Sequence, residues 1–426
     1  MLSVIGSHKK DGLILFGMET WYLAYALMGT TIAGLAPILL PIYVSRSGSA
    51  AQVGLVMAAF SIGGLTAPVW GALADNYRLH RVLLAGGLFL IAAGLGLFPF
   101  AISLAAWLWL AFVQSMGAAG AATIANLFVV EAHPKNEWDR RIGWLQTFYG
   151  FGQVVGLFIA SVFSSAGQSE GLFLAAGLTL LAILPGWFAT HTPAVPPHRR
   201  PRLPQPVRHA EWPASSSPLR LYHYITLGAI RKIEKTERLP FARFLLSWLL
   251  SYTGSAAVFS FYPVLMRKAY GVPPYLSSLG FAVAAGLGLV LYIPAGKLSD
   301  SFGADRILKA ALGVRLLAVI GLIFLGLTHF RERGWLALAG FSLVVLSWSL
   351  LSVSGTALTA QLAPSGNEEG GAIGIFNAVT AFSGVLGAAL GGLAANYWGY
   401  VAVPVMAAAG VGLGLITASV GFRKFI

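Results

Sequence analysis

The sequence predicts an all-α membrane protein of twelve transmembrane helices, arranged as two six-helix bundles related by a parallel repeat. Three observations carry that prediction. Hydrophobic residues make up 57% of the 426 residues and charged residues only 10%, against about 25% charged residues in soluble domains. Apolar runs long enough to cross a bilayer, which takes about 20 residues each, account for nearly the whole chain. The third observation is a repeat: Gly71-Ala-Leu-Ala-Asp75 returns as Gly296-Lys-Leu-Ser-Asp300, with Arg81 and Arg306 at the same distance beyond each Asp. A second echo, from Ile142-Gly143 through Gln146 to Gly152 and Gly156, returns as Ile373-Gly374 through Asn377 to Ser383 and Gly387. Two echoes in one order, at nearly one offset, imply a duplicated half.

Taken in order, the apolar runs fall near 14–43, 51–74, 81–100, 104–130, 141–164 and 171–190, then 241–266, 275–298, 306–328, 335–362, 371–395 and 399–421. The first six make an N-terminal bundle over residues 1–190 and the last six a C-terminal bundle over 241–426. Lys9 and Lys10 precede an apolar stretch too long for a signal-peptide core, so the first run is expected to be an uncleaved span. Between the bundles, residues 191–240 form a polar linker. From His191 to Pro218 it holds eight prolines and four arginines, a composition that extends rather than packs. From Leu219 to Leu239, apolar residues recur at helical spacing beside Arg231, Lys232 and Lys235. That pattern suits an amphipathic helix on the inner leaflet, with a solvated helical linker as the alternative.

The net charge of +13 points away from nucleic acid, because the basic residues lie in loops. Placing the N-terminus in the cytoplasm puts 22 of the 28 Lys and Arg residues inside, leaving Arg46, Arg267, Lys268, Arg331 and Arg333 outside and Arg315 within a span. The positive-inside rule therefore predicts a multi-pass protein of the cell membrane with both termini and both repeated turns cytoplasmic. Cysteine is absent, which removes disulfide and thiol chemistry. No His cluster offers a metal or catalytic centre, so neither metal, organic cofactor nor enzymatic activity is expected.

These residues resemble the major facilitator superfamily, whose members join two six-helix bundles through a cytoplasmic linker. Its signature after the second span is Gly, three residues, Asp, then basic residues around a Gly. GKLSDSFGADR at 296–306 matches it closely through Gly296, Asp300, Gly303 and Arg306. GALADNYRLHR at 71–81 keeps Gly71, Asp75 and Arg81 but has Asn76 for a basic residue and Arg78 for Gly. The resemblance implies a latch that favours the outward-open state; charges that merely fix topology are the alternative. It also implies a charge network in which an acid at the end of the fourth span, Glu131, faces a basic residue opening the next, Arg140 or Arg141. Glu137 and Asp139 read as solvated. Two features common in drug–proton antiporters of the family are missing: an Arg in the fourth span, where Val113 and Gln114 stand, and a Gly-Pro pair in the fifth.

Charge deep in a membrane is costly and usually functional. Glu19 lies in the first apolar run and is the first candidate for coupling to H+, with a reach to the interface as the alternative. Arg315, in the usually peripheral ninth span, reads as snorkelling or a lipid contact. The first, fourth, seventh and tenth spans resemble those lining the family's cavity. Their polar and aromatic residues are Tyr25, Thr30, Gln114, Asn126, Ser251, Tyr252, Ser255, Trp348, Ser349 and Ser352, with Gln146, Gln153 and Asn377 approaching from the fifth and eleventh. A bond from each Ser or Thr to its own helix is the alternative role. Such an uncharged lining suits a neutral, lipophilic or amphipathic substrate. Export of such a compound by proton antiport, by a monomer in contact with lipid, is the leading expectation. Uptake of a small neutral metabolite is the alternative within the class; a receptor or lipid-acting enzyme lies outside it.

Overall fold

A computed structural model describes residues 14–15, 18–19, 21–77, 79–133, 137–188, 235–328, 332–362 and 369–420. Twelve helices in it are long and apolar enough to cross a membrane: α1 (Tyr22–Ser47), α2 (Ala50–Ala74), α3 (His80–Phe100), α4 (Leu104–Val130), α5 (Arg141–Ser165), α6 (Gln168–Phe188), α7 (Leu239–Tyr270), α8 (Pro274–Phe302), α9 (Ala304–Leu327), α10 (Arg333–Leu362), α11 (Ala372–Trp398) and α12 (Ala402–Ser419). Most of the linker lies outside the described residues. From Lys235 the chain is already helical and runs without a break into α7.

The first span differs from the sequence expectation. Residues 14–19 contribute a small antiparallel hairpin, β1 (Ile14–Leu15) with β2 (Met18–Glu19), and helix starts only at Tyr22. Glycines at 12 and 17 weaken helix in this stretch, and the two strands are close enough in sequence for a tight turn. Glu19 is therefore outside the span rather than within it. Inside α1, Gly29–Leu35 widens into a π-helical segment where Thr30 and Thr31 bond back to Ala26 and Met28 carbonyls.

Local sequence sets the other ends. Ser49 and Gln52 form a reciprocal capping box at the start of α2, and Ser103 accepts from the Ala106 amide at the start of α4, each satisfying amides that have no partner in the helix. At the other end of α8, Gly303 closes the helix at φ +88°, its amide bonded to Ser299 O. Glycine reaches that conformation without steric cost. Helix therefore extends through both repeated motifs up to their turns: Asp75 and Asp300 each sit in the last turns of a helix and not in the connecting loop.

Helices α3 and α6 pack within the first half, and α9 and α12 within the second. The halves meet chiefly through α2 with α11 and α5 with α8, and less extensively through α1 with α7. Small residues make this contact possible. A Cβ on Gly54 would lie 2.6 Å from Ala388 O and from Gly392 Cα, Gly384 faces Ser61, and Gly150 packs on Leu289.

Candidate functional site

Contact between the halves is confined to the part of the spans away from the repeated motifs. Along α2 it runs from Gly54 to Gly64, and where α5 crosses α8 it involves Gly150 with Leu289 and Val154 with Gly286. Toward the motif end the halves part. Added Cβ atoms on Gly143, Gly296 and Gly374 would meet nothing within 4 Å, and Gln146, Thr147, Ile373 and Asn377 are exposed there. The halves are thus in close contact away from the motifs and make no such contact at these motif-end positions.

The second half holds an aromatic cluster, with Trp248 and Phe376 buried and Tyr252 and Trp348 half-buried. Trp248 and Tyr252 on α7 stack at 6.1 Å; Trp248 also lies 4.7 Å from Phe376 on α11 and 6.3 Å from Trp348 on α10. Trp348 is 5.5 Å from Tyr252. Trp248 Nε1 donates to Thr380 Oγ1 at 2.8 Å, and its ring fills the space over Gly355. Tyr292 of α8 lies beside Ser352 and Trp348 and is partly exposed. Tyr252 and Trp348, expected to line the cavity, belong to this cluster, and Ser352 lies beside Tyr292. Trp248, Tyr292, Phe376 and Thr380 were missed, although Trp248 precedes Tyr252 by one helical turn and so shares its face.

The serine stripes turn away from the cavity. Ser247 donates to Gly414 O on α12, Ser251 and Ser255 bond back along α7, and Ser349 donates to Gly288 O on α8, all buried. Ser251, Ser255 and Ser349 are thus helix-packing groups rather than cavity groups, because a hydroxyl in an apolar interface takes the nearest carbonyl.

In the first half, Tyr25 is buried with its ring 5.1 Å from that of Tyr149, and Gln146 is exposed nearby. Gln153 is half-buried on α5 beside the crossing with α8. Three expected cavity groups lie elsewhere. Thr30 is buried where α1 presses on Gly152 and Gly156. Gln114 is fully buried against Gly94 of α3, and Asn126 donates to Ala122 O of its own helix. The narrow space left by glycine draws the backbones together, so the adjoining polar groups are enclosed between helices.

At the motif end of this half the charges gather on Glu19. Its carboxylate accepts from Arg141 Nη1 at 2.8 Å and from Trp21 Nε1, and His133 Nε2 lies 2.9 Å away. His133 Nδ1 faces Val129 O at 3.1 Å. Both ring nitrogens therefore face oxygen atoms. Arg141 also bonds Glu137 at 2.8 Å, so Glu137 is paired rather than solvated. Glu131 and Arg140 lie on the helices flanking this cluster, their side chains outside the described residues; the acid that meets Arg141 across the fold is Glu19. Trp21 and His133 were given no role and Glu137 was read as solvated, because nothing in sequence links position 19 to positions 133–141.

The latch residues are separated in this structure. Asp300 and Arg306 are both exposed, and neither joins an ion pair among the described residues. Gly296 has no neighbouring helix against it, and Gly71 meets only Thr123 of its own half, at 3.8 Å. Close approach through these two glycines is absent here, because the cavity is open at this end. Arg81 is half-buried at the start of α3, while Arg78 and the Asp75 side chain are outside the described residues.

Arg315 is the largest departure. It does not snorkel: it is 1% exposed and lies between α9, α10 and α7. Its Nε donates to Ser347 Oγ at 3.0 Å, Nη1 to Ser255 Oγ at 2.8 Å and Nη2 to Val344 O at 2.9 Å. The guanidinium carbon sits 5.9 Å from the centre of the Trp348 ring and 6.0 Å from that of Phe259.

Comparison with known proteins fits this architecture. The family model described as Major Facilitator Superfamily matches residues 21–367. Multidrug resistance protein MdtG of Yersinia enterocolitica is 24% identical over 323 residues, 72% of this chain and 70% of that protein. "Probable anion transporter 4, chloroplastic" of Arabidopsis thaliana is 29% identical over 184 residues, 42% of this chain; the match spans about a third, 34%, of the plant protein. Among solved structures, the nucleoside transporter NupG superposes with TM-score 0.70 at 13% identity, covering 94% of this chain and 96% of its own. A D-xylose–proton symporter does so with 0.66 at 14%, covering 93% and 95%. At those identities the likeness is one of fold. With the family match running through most of the chain and the twelve-helix architecture in place, the chain belongs to the Major Facilitator Superfamily.

Proposed function

We propose that this chain is a secondary active transporter that exports a small amphipathic compound across the cell membrane by alternating access between its two halves. The observation that carries the reading is the one-sided contact between the halves: glycines join them away from the motifs and no such contact is made at the motif end, which in this reading leaves a central cavity open there beside the aromatic cluster. By the distribution of Lys and Arg, the motif end and both termini are cytoplasmic, so this state faces inward. Aromatic walls with few polar groups suit amphipathic molecules, and the relative named for multidrug resistance supports that class. The working unit in this reading is a monomer in contact with lipid, without an organic cofactor.

Latching follows from the same state. Asp300 is exposed here because its partner surface has moved away; the pair with Arg306 or with a neighbouring helix end forms when the motif end closes. Asp300→Asn is expected to reduce transport about tenfold and to shift distances between labels on the motif ends of α2 and α8 toward the open state. Asp75→Asn, in the degraded copy, has the smaller effect, and the reverse order would overturn this assignment.

The coupling ion in this reading is H+, carried at the Glu19, His133 and Arg141 cluster with Glu131 and Arg140 beside it. The cluster joins the residues just before α1 to the ends of α4 and α5, so a change of charge there acts on how those helices pack. In proteoliposomes, Glu19→Gln should abolish accumulation driven by a pH gradient while sparing exchange of labelled for unlabelled substrate. Gradient-driven accumulation that survives the substitution at wild-type rate assigns coupling elsewhere.

A further inference from the structure

We infer that Arg315 sets the charge class of the substrate: the cavity takes an aromatic or amphipathic anion in preference to its neutral or cationic counterpart. This rests on the reading of the aromatic-walled cavity as the substrate site, and it replaces the expectation of a neutral substrate with a charged one.

The first ground is an imbalance of charge. A guanidinium holds its proton throughout the accessible pH range, and ions buried in protein or lipid are nearly always paired. Arg315 is fully enclosed, yet its three acceptors, Ser255 Oγ, Ser347 Oγ and Val344 O, are neutral. Among the described residues the carboxylates in ion pairs are Glu19, Glu137 and Asp305, none of them joined to Arg315. The acids carried by the helices, including Asp75, Glu170, Asp300 and Asp305, sit at helix ends. One uncompensated positive charge therefore lies within the membrane-spanning part of the second half.

Position is the second ground. Helix α9 packs on α10, and the Arg315 guanidinium lies 5.9 Å from the ring of Trp348, which belongs to the aromatic cluster read here as the substrate wall. Tyr252, on the same wall, lies within reach of the charge of Arg315. In a low-dielectric surround the field of a charge falls slowly with distance and is poorly screened, so it extends through the aromatic wall into the cavity. The first-half residues assigned to the site, Tyr25, Gln146 and Gln153, are all neutral. An anion docked on the wall supplies the missing counter-charge, whereas a cation meets like charge and no carboxylate. Holding α7, α9 and α10 together does not by itself require a cation, since neutral donors would make the same three bonds.

The test uses the full-length protein in lipid nanodiscs and a matched trio of probes, 2-naphthylacetate, 2-naphthylethanol and 2-naphthylethylammonium, with partition into empty discs subtracted. Wild type should bind the acetate about tenfold more tightly than the alcohol, and the ammonium most weakly. Arg315→Met should erase the order and Arg315→Lys should keep it. Ser347→Asp leaves Arg315 in place but puts a carboxylate where Ser347 now accepts its Nε. It should erase the order as well, and it decides the matter if the methionine variant does not fold. Wild type that binds none of the three, binds them alike or prefers the ammonium overturns the inference. So does a folded Arg315→Met or Ser347→Asp variant that keeps the wild-type order. Alternation is read separately from distances between labels at the two ends of the spans. A protein that selects the anion without alternating contradicts the transport reading alone; one that alternates but ignores charge contradicts only the assignment of Arg315.

Discussion

Replacing Gly54 with leucine is expected to lock the protein out of the state described above. The Cβ alone would lie 2.6 Å from Ala388 O and from Gly392 Cα. Those atoms are backbone, so the partner cannot yield by changing rotamer. Forcing a side chain into a filled contact typically costs about 1–3 kcal/mol, which converts to roughly a 5- to 150-fold shift between two conformations. Because the contact exists only when this end is closed, the penalty falls on one state. Distances between labels near Ser49 and Trp398 should lengthen, and transport should fall at least about tenfold although the variant remains folded. Distances and transport unchanged from wild type would mean that α2 and α11 do not form the seal.

A valine at Gly152 should act on folding instead. Its Cβ would overlap Ala26 O, and the same holds for Gly156 against Thr30 O. This contact between α1 and α5 lies wholly within the first half, so no alternative conformation relieves it. Helix association in a membrane depends on such close approach, and both sides here are main chain. Gly152→Val is expected to cost about 3 kcal/mol or more, seen as a lower melting temperature and aggregated protein on size exclusion. Gly143→Val, one helix face away with nothing within 4 Å, is the control; equal stability of the two variants would refute the packing argument.

The sequence located the spans well because hydropathy is a sum over neighbouring residues and tolerates errors of a few positions. It was poorer where the answer depended on a single boundary. Glu19 reads as embedded because Leu13, Ile14 and Leu15 extend the apolar run toward the N-terminus, whereas the hairpin at 14–19 moves it to the helix entrance. The serine stripes at helical spacing on the seventh and tenth spans were real faces. Their phase was not legible: periodicity says that Ser247, Ser251 and Ser255 share a side, but not that this side meets α9 and α12. Arg315 was misplaced for the same reason, since a cation in an outer span can reach the interface or turn inward, and only the neighbours Ser255 and Ser347 decide. Glycines 150, 152 and 156 of the fifth span each have a close neighbour in the fold, Leu289, Ala26 and Thr30 in turn.

Gly54 against Gly392 has a consequence for fidelity. A seam made of side chains can loosen by degrees as rotamers change, but one made of main chain against main chain has no soft coordinate: its two sides are either in register or parted. Packed interfaces of this kind switch rather than deform. The tightness of the barrier while the opposite door stands open is therefore set by the absence of side chains at two positions. Enlarging either would raise uncoupled leak through the protein before it altered what the cavity recognises.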